Sequence, residues 1–384
     1  MRLVVTGGGT GGHVYPALEV GLYAAEQGAE LLYLGSLRGQ EGKLCEQRGV
    51  LFQGFPAEPL LSLRSPRGWK SLSKLMGARK MAKAHLRAAR PDVVFSTGGY
   101  SAGPILAAAR ALGIPYVIHD GNSVPGRANR MFGRQAKAFL TVFFATERFY
   151  TDRPVTRTGQ PIRRQLRDAA ARRSEVAGSA GILPASMGET PMKTHGRDAR
   201  ATILVLGGSQ GSAYLNEAVP AAISTLGSEV SVIHACGPAH HDATKDRVTI
   251  LGLKNYCVEP YLDSDAIADA YCRADLVVCR SGGTLTELAM FGLPSVLVPL
   301  PSAANNHQFH NAVEFRDMKA ATIAEQEPAP YSGMIAGIRN WLRDSGAREQ
   351  AARALKEWDV PDATERTWAH IEAASSAGLA LRRS

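Results

Sequence analysis

The stretch RLVVTGGGTGGHVYPALEVGLYAAEQG (Arg2–Gly28) decides the fold. It opens as a short apolar strand, passes through GGGTGGH (Gly7 to His13), and continues with helical spacing to a closing glycine. Glycine is costly to order, so such a run places backbone where something must approach it closely. A nucleotide cofactor, a phosphorylated substrate and a tight turn with no ligand all meet that requirement.

The same grammar continues outward. AELLYLGS, DVVFSTGG and IPYVIHD read as strands, with a helix around SAGPILAAARALG. It then restarts at TILVLGGSQGSAYLNEAVPAAISTLG, and VSVIHACG, ADLVVCRSGG and PSVLVPL add further strands. Strands alternating with helices of this length predict βαβ units on parallel sheets. The expected fold class is therefore α/β, with two Rossmann-like doubly wound domains facing across a cleft. The predicted division is 1–158, 159–360 and a last helix, 361–384, packing back on the first domain. Within it, 174–200 (SEVAGSAGILPASMGETPMKTHGRDAR) is rich in Gly, Pro, Ser and Ala and reads as a flexible insertion.

A chain of 384 residues suits two domains, and 45% hydrophobic with 21% charged residues is a globular composition. A formal net charge of +9 points to an anionic partner: nucleic acid, acidic lipid or phosphorylated metabolites. The cysteines (Cys45, Cys236, Cys257, Cys272, Cys279) are scattered and form no C-x-x-C, which argues against a disulfide or metal framework. MRLVVTGG lacks a secretory apolar region, and no run approaches the roughly 18 apolar residues of a membrane span, so any membrane contact is expected to be peripheral.

Gly7, Gly9 and Gly12 satisfy G-x-G-x-x-G, but a dinucleotide site also wants an acid at the end of the second strand. That strand ends in Gly35 and Ser36. No G-K-[ST] follows either, so a Walker A loop fails. What survives is the attraction of phosphate to amides at a helix N-terminus. His13 beside it is either a turn cap or a group that binds ligand or moves a proton near neutral pH.

Three further glycine turns sit at strand ends: STGGYSAGP (Ser96 to Pro104), GGSQGS (Gly207 to Ser212) and RSGGTLTE (Arg280 to Glu287). In open α/β sheets the ligand crevice lies at those ends. Glu287, early in the next helix, either accepts paired sugar hydroxyls or complements the helix dipole, and spacing alone leaves both open. His307, Gln308, His310 and Asn311 form a polar cluster without the acid or cysteine a metal site would need. Asp263-Ser264-Asp265 spells D-x-D, but a helix N-cap explains it more cheaply.

Together these segments resemble glycosyltransferase family 28, in particular its MurG-type UDP-N-acetylglucosamine transferases of lipid II synthesis, which have the glycosyltransferase-B fold. The resemblance runs through GGTGGH, TGGYSAGP, HDGNSVPGRANR (His119 to Arg130), TGQPIR (Thr158 to Arg163), LGGSQGSAYLN, RSGGTLTELAMFGLP and PDATER. It implies inverting transfer of GlcNAc from UDP-GlcNAc to the C4 hydroxyl of undecaprenyl-linked lipid I, with no metal or other cofactor. The alternatives are a transferase of this fold acting on another lipid or polyketide, or a UDP-GlcNAc epimerase.

By the same resemblance, Thr10, Gly11 and Gly12 belong to the loop facing the substrates, and His13 is the catalytic base. Tyr100 and Asn122 line the acceptor side, Asn122 also meeting the donor. Arg163, Ser209, Leu262 (through its backbone), Gly283, Thr284, Leu285, Thr286, Glu287, His307 and Gln308 hold UDP-GlcNAc, with Glu287 on the ribose. The chain departs from the family pattern at His119-Asp120-Gly121-Asn122, where H-E-Q-N is usual, and at Thr158-Gly159-Gln160-Pro161, where T-G-N-P is usual. The Arg280 to Glu287 turn is one residue shorter, and His307 stands where glutamine is common.

A lipid acceptor implies a peripheral enzyme on the cytoplasmic face of the bacterial cell membrane, alongside other cell-wall synthesis proteins. The basic segment 60–90 suits an anionic bilayer: Arg64, Arg67, Lys70, Lys74, Arg79, Lys80, Lys83, Arg87 and Arg90 interleave with Leu60, Leu61, Leu63, Trp69, Leu72, Leu75 and Met76. A nucleic-acid partner is not expected, because no aromatic-rich RNA motif or paired zinc ligands accompany the charge.

Overall fold

The computed structural model describes residues 1–58, 66–180, 201–208, 210–227 and 230–383. They form two compact units: Met1–Arg163 with Val360–Ser384, and Arg164–Asp359.

The first unit is a parallel sheet of seven strands: β1 (Arg2–Thr6), β2 (Glu30–Ser36), β3 (Phe52–Phe55), β4 (Val93–Ser96), β5 (Tyr116–Asp120), β6 (Ala138–Thr141) and β7 (Thr156–Arg157). Its helices are α1 (Gly11–Glu26), α2 (Glu41–Gln47), α3 (Pro66–Ala89), α4 (Ala102–Ala111), α5 (Arg127–Gly133) and the C-terminal helix Ala363–Arg383. The strand order β3-β2-β1-β4-β5-β6-β7 reverses between β1 and β4. Because side chains alternate along a strand, β1 sends Val4 to one face and Leu3 and Val5 to the other. Val4, Leu34, Val94 and Ile118 pack with Ala82 and Leu86 of α3 and Ile105 of α4. Leu3, Val5, Phe95 and Val117 pack with Val14 and Leu18 of α1 and with Ile371 and Ala374 of the C-terminal helix. That shared core is why the chain's last helix belongs to the first unit.

The second unit repeats the plan with α6 (Arg164–Ala180), β8 (Ala201–Leu206), α7 (Ala213–Ser224), β9 (Val230–Ala235), α8 (His241–Ile250), β10 (Tyr256–Glu259), α9 (Ser264–Arg273), β11 (Leu276–Cys279), α10 (Thr284–Phe291), β12 (Ser295–Leu297), α11 (His307–Asp317), β13 (Ala321–Ile323), α12 (Ser332–Arg343) and α13 (Ser345–Trp358). Its six parallel strands run β10-β9-β8-β11-β12-β13, reversing between β8 and β11.

Two features differ from the sequence expectation. Residues 159–163 stay with the first unit: the buried His119 ring on β5 donates Nε2–H to the Gly159 carbonyl at 2.8 Å, and Arg163 lies over the Tyr15 ring of α1. The stretch expected to be a flexible insertion begins as helix, because α6 runs through Ala180. Its alanines, arginines and glutamate are good helix formers, and Arg173 anchors it by donating to the carbonyls of Cys272 (3.0 Å) and Ala274 (3.1 Å) at the C-terminal end of α9. The remainder, 181–200, lies outside the described residues.

Candidate functional site

At the first unit's switch point the loops after β1 and β4 lie against each other. The Gly8 amide donates to the Gly98 carbonyl at 3.2 Å, and the Thr97 amide to the Thr6 carbonyl at 3.0 Å. A Cβ at Gly99, whose φ is +85°, would fall 2.0 Å from the Gly8 carbonyl oxygen, so only glycine closes this contact. Thr10 is the extended N-cap residue of α1; its side chain makes no cap bond and the first turn holds no acid. The helix start at Gly11 and Gly12 therefore presents an uncompensated positive dipole end.

His13 follows in that first turn, half-buried. Its Nδ1 lies 2.9 Å from the Thr97 carbonyl oxygen, which only accepts, so Nδ1 carries the proton and Nε2 the lone pair. Thr97 Oγ1 donates back to the His13 carbonyl at 2.7 Å. The β4 loop thus sets the imidazole's orientation and tautomer together. Nearby His119 is pushed down to about 4, chiefly by burial, with the His13 charge adding to it and the Gly159 bond opposing it. It stays neutral near pH 7.

Tyr100 is half-buried on the same loop, its ring so near Gly9 that a Cβ there would meet Cε1 at 2.8 Å. Asn122 follows β5 on a turn organised by Asp120. That buried carboxylate accepts from the Asn122 amide (3.1 Å), the Gly126 amide (3.0 Å) and Asn129 Nδ2 (2.7 Å), while Thr146 Oγ1 donates to the Asn122 carbonyl at 3.1 Å. His13, Tyr100, Asn122 and the Thr10–Gly12 loop therefore all stand at strand C-terminal ends of one sheet. Arg163 is also in this unit.

Glu41, at the start of α2, carries no sequence signal as a site residue. Its carboxyl is fully buried beneath the glycine loop, and a Cβ at Gly8 would fall 2.1 Å from its Oε1 and 2.2 Å from Ser101 Oγ. Burial pushes its pKa up, against the lowering effect of its own amide and those of Ser36 and Gly9. No acid stands at the end of β2; the buried carboxyl of Glu41 faces the loop from below.

At the second switch point the loops after β8 and β11 are joined by Arg280. Its guanidinium donates to the Val298 and Pro299 carbonyls (2.9 and 3.3 Å) and to Ser212 Oγ (2.8 Å). Ser212 in turn caps α7 by accepting from the Leu215 amide at 3.3 Å. Ser209 lies outside the described residues. Gly283, Thr284, Leu285, Thr286 and Glu287 form the start of α10. Leu285 is fully buried, so only its backbone can meet a ligand, and Thr286 Oγ1 donates to the Gly283 carbonyl at 2.8 Å. Glu287 is half-buried and its Oε2 accepts from Tyr271 Oη at 2.6 Å.

His307 and Gln308 open α11 after two left-handed residues, Asn305 and Asn306. His307 Nδ1 donates to the Ala304 carbonyl at 2.8 Å, and Gln308 Oε1 accepts from the Leu300 amide at 2.9 Å. Leu262 is buried in the loop after β10. Asp263 next to it caps α9, accepting from the Asp265 and Ala266 amides, which accounts for the D-x-D.

The glycosyltransferase family 28 N-terminal domain matches residues 3–141, and the family's C-terminal domain matches residues 202–367. The UDP-N-acetylglucosamine–N-acetylmuramyl-(pentapeptide) pyrophosphoryl-undecaprenol N-acetylglucosamine transferase of Lactococcus lactis subsp. lactis (strain IL1403) is 32% identical over 373 residues, 96% of this chain and 98% of the relative. The chain belongs to glycosyltransferase family 28. The crystal structure of Acinetobacter baumannii MurG superposes with a TM-score of 0.72 at 27% identity, covering 97% of this chain and 99% of that one. A UDP-GlcNAc 2-epimerase from Neisseria meningitidis reaches 0.66 over 97% of this chain and all of its own, but at 11% identity it shares the fold alone. The two parallel α/β units are thus those of a glycosyltransferase-B protein, as the family 28 motifs imply.

Proposed function

We propose that this family 28 protein transfers N-acetylglucosamine from UDP-GlcNAc to the C4 hydroxyl of the muramyl sugar of lipid I, yielding lipid II for peptidoglycan. One observation carries the reading: near-complete coverage at 32% identity with a relative named for that transfer. In the reaction the C4 oxygen bonds to the anomeric carbon as the bond from that carbon to the diphosphate oxygen breaks, with inversion. UDP leaves with the bonding pair, and the hydroxyl proton goes to a base.

We assign the base to His13 Nε2, since the Nδ1–Thr97 bond supports a lone pair there. The acceptor lies with Tyr100 and Asn122 on the first unit, and the donor with the loops after β8, β11 and β12 on the second. The diphosphate is stabilised by loop amides and helix N-termini without a metal, and Glu287 accepts the ribose hydroxyls. Incubation with radiolabelled UDP-GlcNAc and lipid I is expected to move label into a lipid-extractable product, and none without lipid I. Conversion of the donor to a 2-epimer independent of lipid would overturn the reading in favour of an epimerase.

The enzyme works peripherally at the cytoplasmic face of the cell membrane, approached through segment 60–90, alongside other cell-wall synthesis proteins. Among the described residues no helix is long and apolar enough to cross a membrane. On α3, Arg79, Lys80 and Arg87 are exposed beside the exposed Met76 and Met81, a surface suited to anionic headgroups. Lys74 is engaged by Glu58, both carboxylate oxygens lying 2.8 Å from Nζ. Residues 60–65 lie outside the described residues. Flotation is expected with anionic vesicles and not with zwitterionic ones.

A further inference from the structure

Tyr15 stands one turn after Gly11 on α1, on the same helix face. Helical side chains lean toward the N-terminus, so its ring is carried back over the first turn. A Cβ at Gly11 would lie 3.2 Å from the ring's Cε2 and 3.3 Å from its Cδ2, closer than ordinary contact. Gly11 has no left-handed φ that would call for glycine. What its missing side chain leaves room for is this ring.

Over the same ring lies Arg163, its Cζ 4.9 Å from the centroid, a cation–π distance. The backbone leading to Arg163 is fixed to the first unit by the His119–Gly159 bond and by the buried Ile162. The side chain beyond is long and rich in rotamers, and the ring removes part of that freedom. Tyr15 and Arg163 are both half-buried, and Thr10 and Gly12 on the adjoining loop are exposed. The guanidinium and the start of α1 thus share one patch that solvent reaches, and both favour an anion.

We propose that Tyr15 is a positioning residue: its ring holds the Arg163 guanidinium beside the start of α1, so that cation and loop amides act together on the diphosphate of the UDP donor. The proposal rests on the transferase reading above, in which Arg163 holds UDP-GlcNAc. Tyr15 acts through Arg163 and not on the substrate itself, which makes the two residues an energetically coupled pair.

The test is calorimetric titration of UDP and of uridine into the parent chain, Tyr15→Leu, Tyr15→Phe, Arg163→Gln and the Tyr15→Leu/Arg163→Gln double variant, with KM for lipid I measured alongside. Tyr15→Leu is expected to weaken UDP binding about fourfold, the loss of one partly exposed cation–π contact. Uridine, which lacks the diphosphate, and lipid I should stay within about twofold of the parent, a difference that general damage to α1 would not produce. Tyr15→Phe keeps the ring face and stays near the parent for both ligands. Arg163→Gln weakens UDP by about tenfold, and in that background Tyr15→Leu adds less than about twofold. Equal losses for UDP and uridine, additive effects in the double variant, a Tyr15→Phe loss matching Tyr15→Leu, or a rise confined to KM for lipid I each overturn the proposal. A parent chain that binds no UDP overturns the transferase reading and the proposal with it. One that binds UDP and ignores Tyr15→Leu overturns the proposal alone, so the two failures are distinguishable.

Discussion

In the first unit the switch point is closed backbone to backbone, Gly8 on Gly98 and Gly99 against Gly8, with a carboxyl buried beneath and an imidazole at the rim. In the second it is closed by side chains, Arg280 spanning three strand ends and Tyr271 reaching Glu287. Both sheets reverse order at the matching place, so topology alone does not distinguish them. The difference lies in which groups each loop presents. The first loop carries an imidazole oriented by a backbone carbonyl; the second carries a fixed cation and a carboxylate held by a phenol. This is the division that the proposed function asks of an acceptor-activating unit and a donor-holding one.

His13→Ala breaks the comparison at its strongest point. Loss of a general base lowers kcat by about 10²–10⁴-fold. Binding of UDP-GlcNAc, followed by calorimetric titration, is expected to stay within twofold, because the proposed base is not among the groups proposed to hold the donor. A retained kcat removes His13 as the base.

Arg280→Lys tests the other side. It keeps the charge but loses the planar fork that meets Val298, Pro299 and Ser212 at once. Leaving those partners without donors is expected to lower the thermal midpoint by several degrees and to raise KM for UDP-GlcNAc by about tenfold, with KM for lipid I unchanged. An equal rise in both constants erases the division between the units.

How much of this was legible in the sequence depends on whether the signal was local. Each glycine turn was readable because strand, turn and helix are contiguous, and the order reversal then brings GGGTGGH beside STGGYSAGP and GGSQGS beside RSGGTLTE. Short strands such as β3 (FQGF), β7 and β13 carried no pattern of their own and exist because a neighbouring strand offers a ladder. Arg280 was visible only as a letter in a motif; its reach to Val298 and Ser212 is a tertiary fact. Glu41 was invisible, since it sits in a polar stretch and its place beneath a loop far off in sequence shows only at close approach to Gly8. The helical start of the 174–200 stretch was masked by the Gly- and Pro-rich residues after it.

Glu41→Gln sharpens the contrast through pH. A carboxyl whose native pKa lies above its ordinary value of 4.5 binds its proton more tightly when folded. Stability therefore falls as pH rises from about the ordinary value through the raised native one, and stays lower above it. The glutamine variant lacks this slope, so urea midpoints of the two proteins should converge at low pH and separate above that window, the variant being the more stable. Parallel midpoints across the range would mean that burial beneath the loop does not raise the carboxyl's pKa.

The smallest effect is expected from Tyr271→Phe. The ring is fully buried and stacked on Phe291 at 4.9 Å and 23°, so phenylalanine preserves the packing and removes only the donor to Glu287. Because Glu287 is half-buried, water partly replaces the lost bond, and the change is worth about 1 kcal/mol, near fivefold in KM for UDP-GlcNAc. On the proposed reading the hydroxyl acts only by aiming the carboxylate at the ribose. The penalty should therefore shrink with a donor analogue lacking the ribose hydroxyls, which no longer uses that aim. A penalty of the same size with both donors would assign Tyr271 to the support of α10 instead, and would leave Glu287 as a carboxylate complementing its helix rather than a sugar ligand.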